Sequence, residues 1–315
     1  MAKHDLKFSI VTPSYNEEKD IRETIENFIG LSYPNKEIIV VDDSTDRTPE
    51  IIREYASRGV RLINGPRKGC CEAVNLGITQ ATGDIIVYAD ADVRPPRDFL
   101  ERLAEKYEAG ADWVLVDSHI PNTRSAFSRF VGALHVADHT ASRGDVYYSE
   151  AASYRRDLAI KLGMFGPTYP ARFCRDWLLG KKLTEGGYKK VYDPSIVVQH
   201  PQPDNFKEYW YVRKARGRFG PFKQYFMDAY PLPLLFFKLL AKDAVFALRF
   251  LLIIPATQRV IKISRRSKNG LKDFFPFLYA YFIQELARCV GEWEGWRFIV
   301  RYRREQRADS RIARV

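Results

Sequence analysis

An α/β fold, with a mostly parallel sheet and flanking helices followed by a helical C-terminal region, is what this sequence predicts. Three observations carry the reading. Short β-rich runs alternate with helical stretches of about ten residues from residue 7 onward, the punctuation of a sheet covered on both faces. Polar clusters stand where those runs end: Pro13 to Glu17, Asp42-Asp43-Ser44 and Asp90-Ala91-Asp92. Beyond Pro201-Gln202-Pro203, where two prolines interrupt regular structure, the chain turns basic and strongly apolar.

The elements follow in order. A strand over Lys7–Pro13 is followed by a helix over Glu18–Leu31, a strand over Glu37–Asp42 and a helix over Thr48–Ser57. Next come a strand over Val60–Ile63, a helix over Cys71–Gln80 and a strand over Asp84–Ala89. A helix over Asp98–Glu108 and a strand over Asp112–Val116 complete the regular part. From residue 122 to 139 the pattern is mixed. A β-like piece spans Val146–Tyr154, a helix Cys174–Glu185, and two short strand-like pieces, 188–192 and 196–199, flank Asp193-Pro194 and end at His200. The expected organisation is a domain over 1–205 and a basic, apolar helical region over 206–315.

Bulk properties bound the function. With 46% apolar and 14% aromatic residues over 315 positions, the chain has material for a large core and is neither disordered nor low in complexity. The net charge of +11 is uneven: residues 207–315 hold 23 basic and 9 acidic side chains. Such asymmetry calls for an anionic partner, nucleic acid or an anionic membrane face. The four cysteines, Cys70, Cys71, Cys174 and Cys289, have neither disulfide-framework nor zinc spacing, which fits a reducing compartment. The N-terminus enters a strand pattern at once, without a signal-peptide apolar stretch.

Asp90 and Asp92 end an apolar run, and residues two apart on an extended segment point the same way, so the pair suits one hard divalent cation. The competing reading is an Asp-rich strand-to-helix turn before Pro95-Pro96. Asp176 opens a predicted helix with Leu179 and Leu183 three and seven residues on, which sets it on the inward stripe. In the C-terminal region a basic aromatic helix is expected over Phe206–Tyr225, followed by strongly apolar stretches over Leu232–Ile263 and Phe274–Phe298. In the first of these stretches, Lys238, Lys242 and Arg249 fall within about 40° of one another on a helical projection. A basic stripe opposed by Leu, Phe, Val and Ile fits a helix lying in a membrane interface, or else a bundle helix that snorkels its charges. Nucleic-acid binding is the rival for the basic tail, but no nucleic-acid motif is recognisable.

Five segments in order, SIVTPSYNEE, EIIVVDDSTDRT, KGCCEAVNLGITQATGDIIVYADAD, SEAASYRRD and FCRDWLLGKKLTEGGYKKVYDPSIVVQH, resemble the family 2 glycosyltransferases, whose nucleotide-diphospho-sugar-binding fold is the Rossmann-like GT-A type. The resemblance covers roughly residues 7 to 205 and implies roles. Pro13, Tyr15, Glu17 and Asp43 border the nucleotide base and ribose. Lys68 and Asn75 line the ribose or phosphate, and Asp90 touches the donor while sharing with Asp92 a Mn2+ or Mg2+ ion on its phosphates. His200 matches a histidine that completes the metal shell in some members, a ligand better suited to Mn2+. Asp176 is the implied catalytic base; the preceding residue, usually acidic, is Arg175 here. Arg213, Arg216 and Arg218 fit a segment that holds diphosphate or acceptor.

The expected activity is inverting, metal-dependent transfer of a sugar from a UDP- or GDP-linked donor to a hydroxyl of a lipid-linked or membrane-borne glycan, at the cytoplasmic face of the cell membrane. A polyprenyl-phosphate acceptor is the alternative. A nucleotidyltransferase is disfavoured because no glycine-rich phosphate loop follows the first strand.

Overall fold

The computed structural model describes residues 5–139, 147, 149–166, 176–252 and 254–312. The chain divides into two compact units, residues 1–121 with 143–201, and residues 122–142 with 202–315. The segment from 122 to 139, expected with the first domain, groups with the C-terminal unit.

The first unit is built on a seven-stranded sheet: β1 (Phe8–Ser14), β2 (Lys36–Asp42), β3 (Val60–Asn64), β4 (Ile85–Tyr88), β5 (Trp113–His119), β6 (Ser153–Arg155) and β7 (Lys190–Gln199). Their order is β3-β2-β1-β4-β6-β5-β7. All pairings are parallel except those of β6, which runs antiparallel to both neighbours.

Period-two alternation puts Phe8, Ile10, Ile38, Val40, Ile85 and Val87 on one face, against α1 (Ile21–Ile29), α2 (Thr48–Arg53) and α4 (Phe99–Glu108). Val11, Ile39, Val41, Ile86 and Tyr88 face the other way, against α3 (Cys70–Gln80), α6 (Arg156–Lys161) and α7 (Asp176–Glu185). Both faces are buried, which explains why these strands read as continuous apolar runs. Helix α3 approaches the sheet closely at Gly77, where a Cβ would stand 2.4 Å from Val11 Cγ1 and 3.1 Å from Val41 Cγ2.

Strand β1 has β2 on one side and β4 on the other, so the chain reverses its direction of sheet growth between β1 and β4. That is a topological switch point, where loops diverge and leave a crevice beyond the strands' C-terminal ends.

The two strand-like pieces around Asp193-Pro194 are one strand, kinked where its pairing with β5 slips register between Val116 and Asp117. The irregularity lets β7 pass the proline and continue to Gln199.

In the second unit, α5 (Ala126–His139) packs with α11 (Ile254–Ser264) and α12 (Phe274–Ile312), and α12 also packs on α8 (Phe206–Gly217), α9 (Phe219–Phe226) and α10 (Leu232–Leu251). Helix α8 begins where Asn205 Oδ1 accepts the Glu208 N–H at 3.0 Å, a side-chain cap. Arg129 donates from Nε and Nη2 to Asp273, which is 3% exposed.

Three expectations change here. The basic helix expected as continuous breaks at Arg218, and the apolar one expected over 232–263 ends at Leu251 and restarts at Ile254, ahead of Pro255. The basic stripe of α10 does not lie opposite the solvent-facing side as an isolated strip: Lys242 Nζ pairs with Glu292 of α12 at 2.8 Å and Lys238 sits 4.9 Å over the Tyr230 ring. Among the described residues no helix is long and apolar enough to cross a membrane.

Candidate active site

The loop after β1 and the loop after β2 are stitched together by short polar side chains. Asn16 adopts a left-handed backbone, φ 59°, which Asn tolerates better than most residues. Its N–H donates to Ser44 Oγ at 2.7 Å, and its side-chain oxygen accepts the Thr45 N–H at 2.8 Å. The Glu17 N–H donates to Thr48 Oγ1 at 2.9 Å, and Thr48 in turn donates to Asp46. Ser44 Oγ donates to Asp42 at 2.6 Å. This scaffold fixes Glu17 at the switch point and leaves Tyr15 exposed beside it. Pro13 lies within β1, paired with Val41. Asp43 follows β2, and its carboxylate accepts the Arg67 N–H at 2.8 Å; Gly65 leaves the room, because a Cβ there would stand 2.2 Å from Asp43 Oδ1.

Beyond β4, the turn holding Asp90 and Asp92 is pinned from three sides. Thr24 Oγ1 donates to the Ala91 carbonyl at 2.6 Å, the Val93 N–H donates to the Asp90 carbonyl, and the Tyr88 hydroxyl donates to Asp90 Oδ1. Arg94 and Gln199 then exchange backbone hydrogen bonds of 2.8 and 2.9 Å, which ties the turn to the end of β7. That bridge delivers His200: its Nε2 lies 3.4 Å from Asp92 Oδ2 and its Nδ1 3.8 Å from Glu150. One ligand atom from each of Asp90, Asp92 and His200 fits within a 4.8 Å cluster.

The electrostatics match a cation site. Burial and then the charges of Asp92, Asp20, Asp90 and Asp46 push Glu17 up to about 8. For His200, burial works against the charged form, but hydrogen bonds to Asp92 and Glu150 outweigh it and push the imidazole up to about 10. Glu17 and His200 thus hold protons beside Asp90 and Asp92, and a cation bound there would displace them. Two carboxylates and an imidazole are donors for Mn2+ more than for Mg2+.

The remaining sequence-predicted residues are placed as follows. Lys68 lies exposed between β3 and α3. Asn75 clamps a neighbouring turn, accepting the Phe165 N–H at 3.0 Å and donating to the Gly166 carbonyl at 3.3 Å. Asp176 is the first residue of α7, with Leu179 and Leu183 fully buried as its stripe requires; its side chain lies outside the described part. Arg213, in the second unit, is 6% exposed and stacks 5.0 Å over Tyr209. Its Nε and Nη2 have no hydrogen-bond partner among the described residues, and burial, then Arg216, pulls it down to about 10. Arg216 is exposed. Arg218 is committed to Glu294, donating from Nε at 2.8 Å. Glu150 and Tyr88 were missed; Tyr88 stands two residues before Asp90, a spacing readable as the same side of an extended segment.

A family model, "Glycosyl transferase family 2", matches residues 9–165, which contain the whole run from the first strand through the Asp90–Asp92 turn. The chain belongs to glycosyl transferase family 2. Its relatives include the probable glycosyltransferase YdaM of Bacillus subtilis, 28% identical over 77% of this chain and 60% of that protein. The dolichol-phosphate mannosyltransferase of Pyrococcus furiosus is 39% identical over 34% of this chain and 32% of its own length. The chain therefore spans only part of the curated relatives it matches. Among solved structures, the mannosyltransferase PcManGT from Pyrobaculum calidifontis, in complex with GDP-Man and Mn2+, superposes with a TM-score of 0.53 at 22% identity, over 92% of this chain and 74% of that one. At that identity the likeness shows the fold, which is of the GT-A type, and the first unit is a glycosyltransferase domain of this family.

Proposed function

We propose that the chain is an inverting, metal-dependent glycosyltransferase that moves a sugar from a nucleotide-diphosphate donor, UDP- or GDP-linked, to a hydroxyl of a lipid-linked or membrane-borne glycan at the cytoplasmic face of the cell membrane. The observation that carries this reading is the convergence of Asp90, Asp92 and His200 at the switch point, where a diphosphate meets the loop ends. Asp90, Asp92 and His200 would hold a Mn2+ or Mg2+ ion, which would supply positive charge to a departing nucleoside diphosphate.

The chain's own residues supply the rest. Glu17, Asp43 and Tyr15 border the crevice with acceptors and a ring for ribose and base. Tyr88 and Thr24 fix the turn so that Asp90 and Asp92 need no reorganisation on binding. Asp176, at the N-terminus of α7, is the base that takes the acceptor hydroxyl's proton, and the helix terminus favours its ionised form. Arg213, Arg216 and Arg218, in the second unit, carry guanidinium groups of the kind that suit a diphosphate or an anionic acceptor.

Release of free nucleoside diphosphate from a panel of UDP-, GDP- and dTDP-sugars, with Mn2+, Mg2+ or excess chelator, is the test. One donor class is expected to turn over, and only with the metal; full turnover in chelator overturns the proposal. The dolichol-phosphate relative favours a second reading, an acceptor that is already an anion and needs no base. Asp176→Asn separates the two: turnover falls at least about a hundredfold with a hydroxyl acceptor, and stays near normal with a phosphate.

A further inference from the structure

Helix α10 and its surroundings hold an unpartnered apolar face. Leu234, Phe237, Leu240, Leu248, Leu251 and Leu252 are each between 44% and 78% exposed. At about 100° per residue they share an arc about 120° wide, whereas Leu235 and Leu239, fully buried, face the bundle. The run continues past the helix end to Ile254, 65% exposed, at the start of α11. Six large side chains on one arc exceed the scattered exposure ordinary for a surface.

The charge around this face is mostly positive. Residues 232–273 contain nine Lys or Arg and two acids. Both acids are engaged inside the unit: Asp243 accepts the Trp293 indole N–H at 2.6 Å, and Asp273 holds Arg129. Lys238, Lys242 and Arg249 run along the edge of the apolar arc, between it and the buried face. There they line a groove of about 500 Å³ with Glu285, Arg288 and Glu292. Lys262, Arg265 and Arg266 line a second cationic depression at the C-terminal end of α11.

We infer that this face of the second unit is a docking surface for an anionic lipid bilayer, with α10 lying in the interface plane, its leucine arc among the acyl chains and the flanking cations on lipid phosphates. An apolar arc bordered by cations is the pattern of an interfacial helix, in which burial of apolar area and attraction to anionic headgroups add. A self-associating face does not require a rim with an excess of cations, and nucleic acid does not require leucines. The inference deepens the reading of a membrane-borne acceptor and rests on it only for its purpose, since binding to vesicles is measured without any acceptor.

The test is flotation of the full chain with vesicles of phosphatidylcholine containing about one third phosphatidylglycerol, and with pure phosphatidylcholine. The wild type is expected to float with the anionic vesicles and at least about tenfold more weakly with the neutral ones. Leu248→Glu with Leu251→Glu is expected to abolish flotation. Lys262→Glu, Arg265→Glu and Arg266→Glu together should reduce it on anionic vesicles and leave the weak neutral binding unchanged. Both variants should retain the far-ultraviolet dichroism and melting temperature of the wild type, since every altered side chain is exposed. Wild type that fails to float, or floats equally with both vesicles, overturns the inference. So does a leucine variant that still floats, or one whose only change is dissociation of an oligomer. Retention on duplex DNA without flotation overturns it in favour of nucleic acid. Donor hydrolysis measured on the same variants reports on the catalytic proposal separately, because none of these residues belongs to the site.

Discussion

Asp193→Asn probes the strand that delivers His200. Asp193 sits at the register slip of β7 against β5. Lys106 Nζ lies 2.8 Å from Oδ2, and the Ser195 N–H and hydroxyl both donate to Oδ1. Burial raises this carboxyl, but the hydrogen bonds from Lys106 and Ser195 outweigh it and hold the group at about 2 instead of 3.8. With the side chain only 14% exposed, solvent screens the pairing in part. At about 1.36 kcal/mol per pH unit, that depression corresponds to roughly 2 kcal/mol of stability at neutral pH. The folded value is the lower one, so the contribution is complete above about pH 5, about half remains at pH 3, and it vanishes as pH falls through 2. Asparagine keeps an acceptor for Ser195 and removes the charge facing Lys106. The variant should therefore be less stable by about 1–2 kcal/mol at pH 7, and the gap should shrink by about half at pH 3. Urea unfolding followed by tryptophan fluorescence across that range measures it. A gap independent of pH, or one that widens in acid, refutes the assignment.

Asp92→Asn is expected to erase a Mn2+-dependent rise in melting temperature. At a metal concentration about a hundred times the dissociation constant, binding adds about 2.7 kcal/mol, and a thermal shift equal in wild type and variant rules out the site. Arg213→Met should leave the melting temperature unchanged or raise it, because an under-partnered buried cation is replaced by apolar volume. The same variant should lower turnover at least about tenfold; a loss of stability with normal kinetics would make Arg213 a structural residue.

Strands β1, β2 and β4 were legible because each is an apolar run buried on both faces, and β3 because its short run Val60–Ile63 lies between two helical stretches. Strand β6 was reached only at Ser153 and Tyr154, the end of the β-like piece expected over Val146–Tyr154, part of which lies outside the described residues; its partners at Ile85–Val87 and Trp113–Val114 lie far away in sequence and its three residues carry no periodicity. Helix α12 was expected to stop at Phe298 and runs to Ile312. The arginine-rich stretch dilutes its apolar pattern, yet it contains no glycine or proline to end the helix. In the site, Asp90 and Asp92 were readable as a pair of acids ending an apolar run, but it is a turn closed by the Val93 N–H on the Asp90 carbonyl, and not an extended segment, that brings them together. His200 was reached through resemblance alone; the Arg94–Gln199 bridge that brings it to Asp92 is a long-range pairing without a local signal. Asn75 shows the converse, a polar residue with a functional address whose amide holds the turn at Phe165–Gly166.

The stitching of Asn16 to Ser44 and Thr45 makes two crevice-lining segments a single mechanical piece. Donor preference in this enzyme should therefore be inherited as a pair of segments. A chimera that imports residues 13–20 from a family member with no asparagine at this place, without its 42–48, loses the bond from the Thr45 N–H to the Asn16 side chain, while one that transplants the two segments together keeps a matched pair.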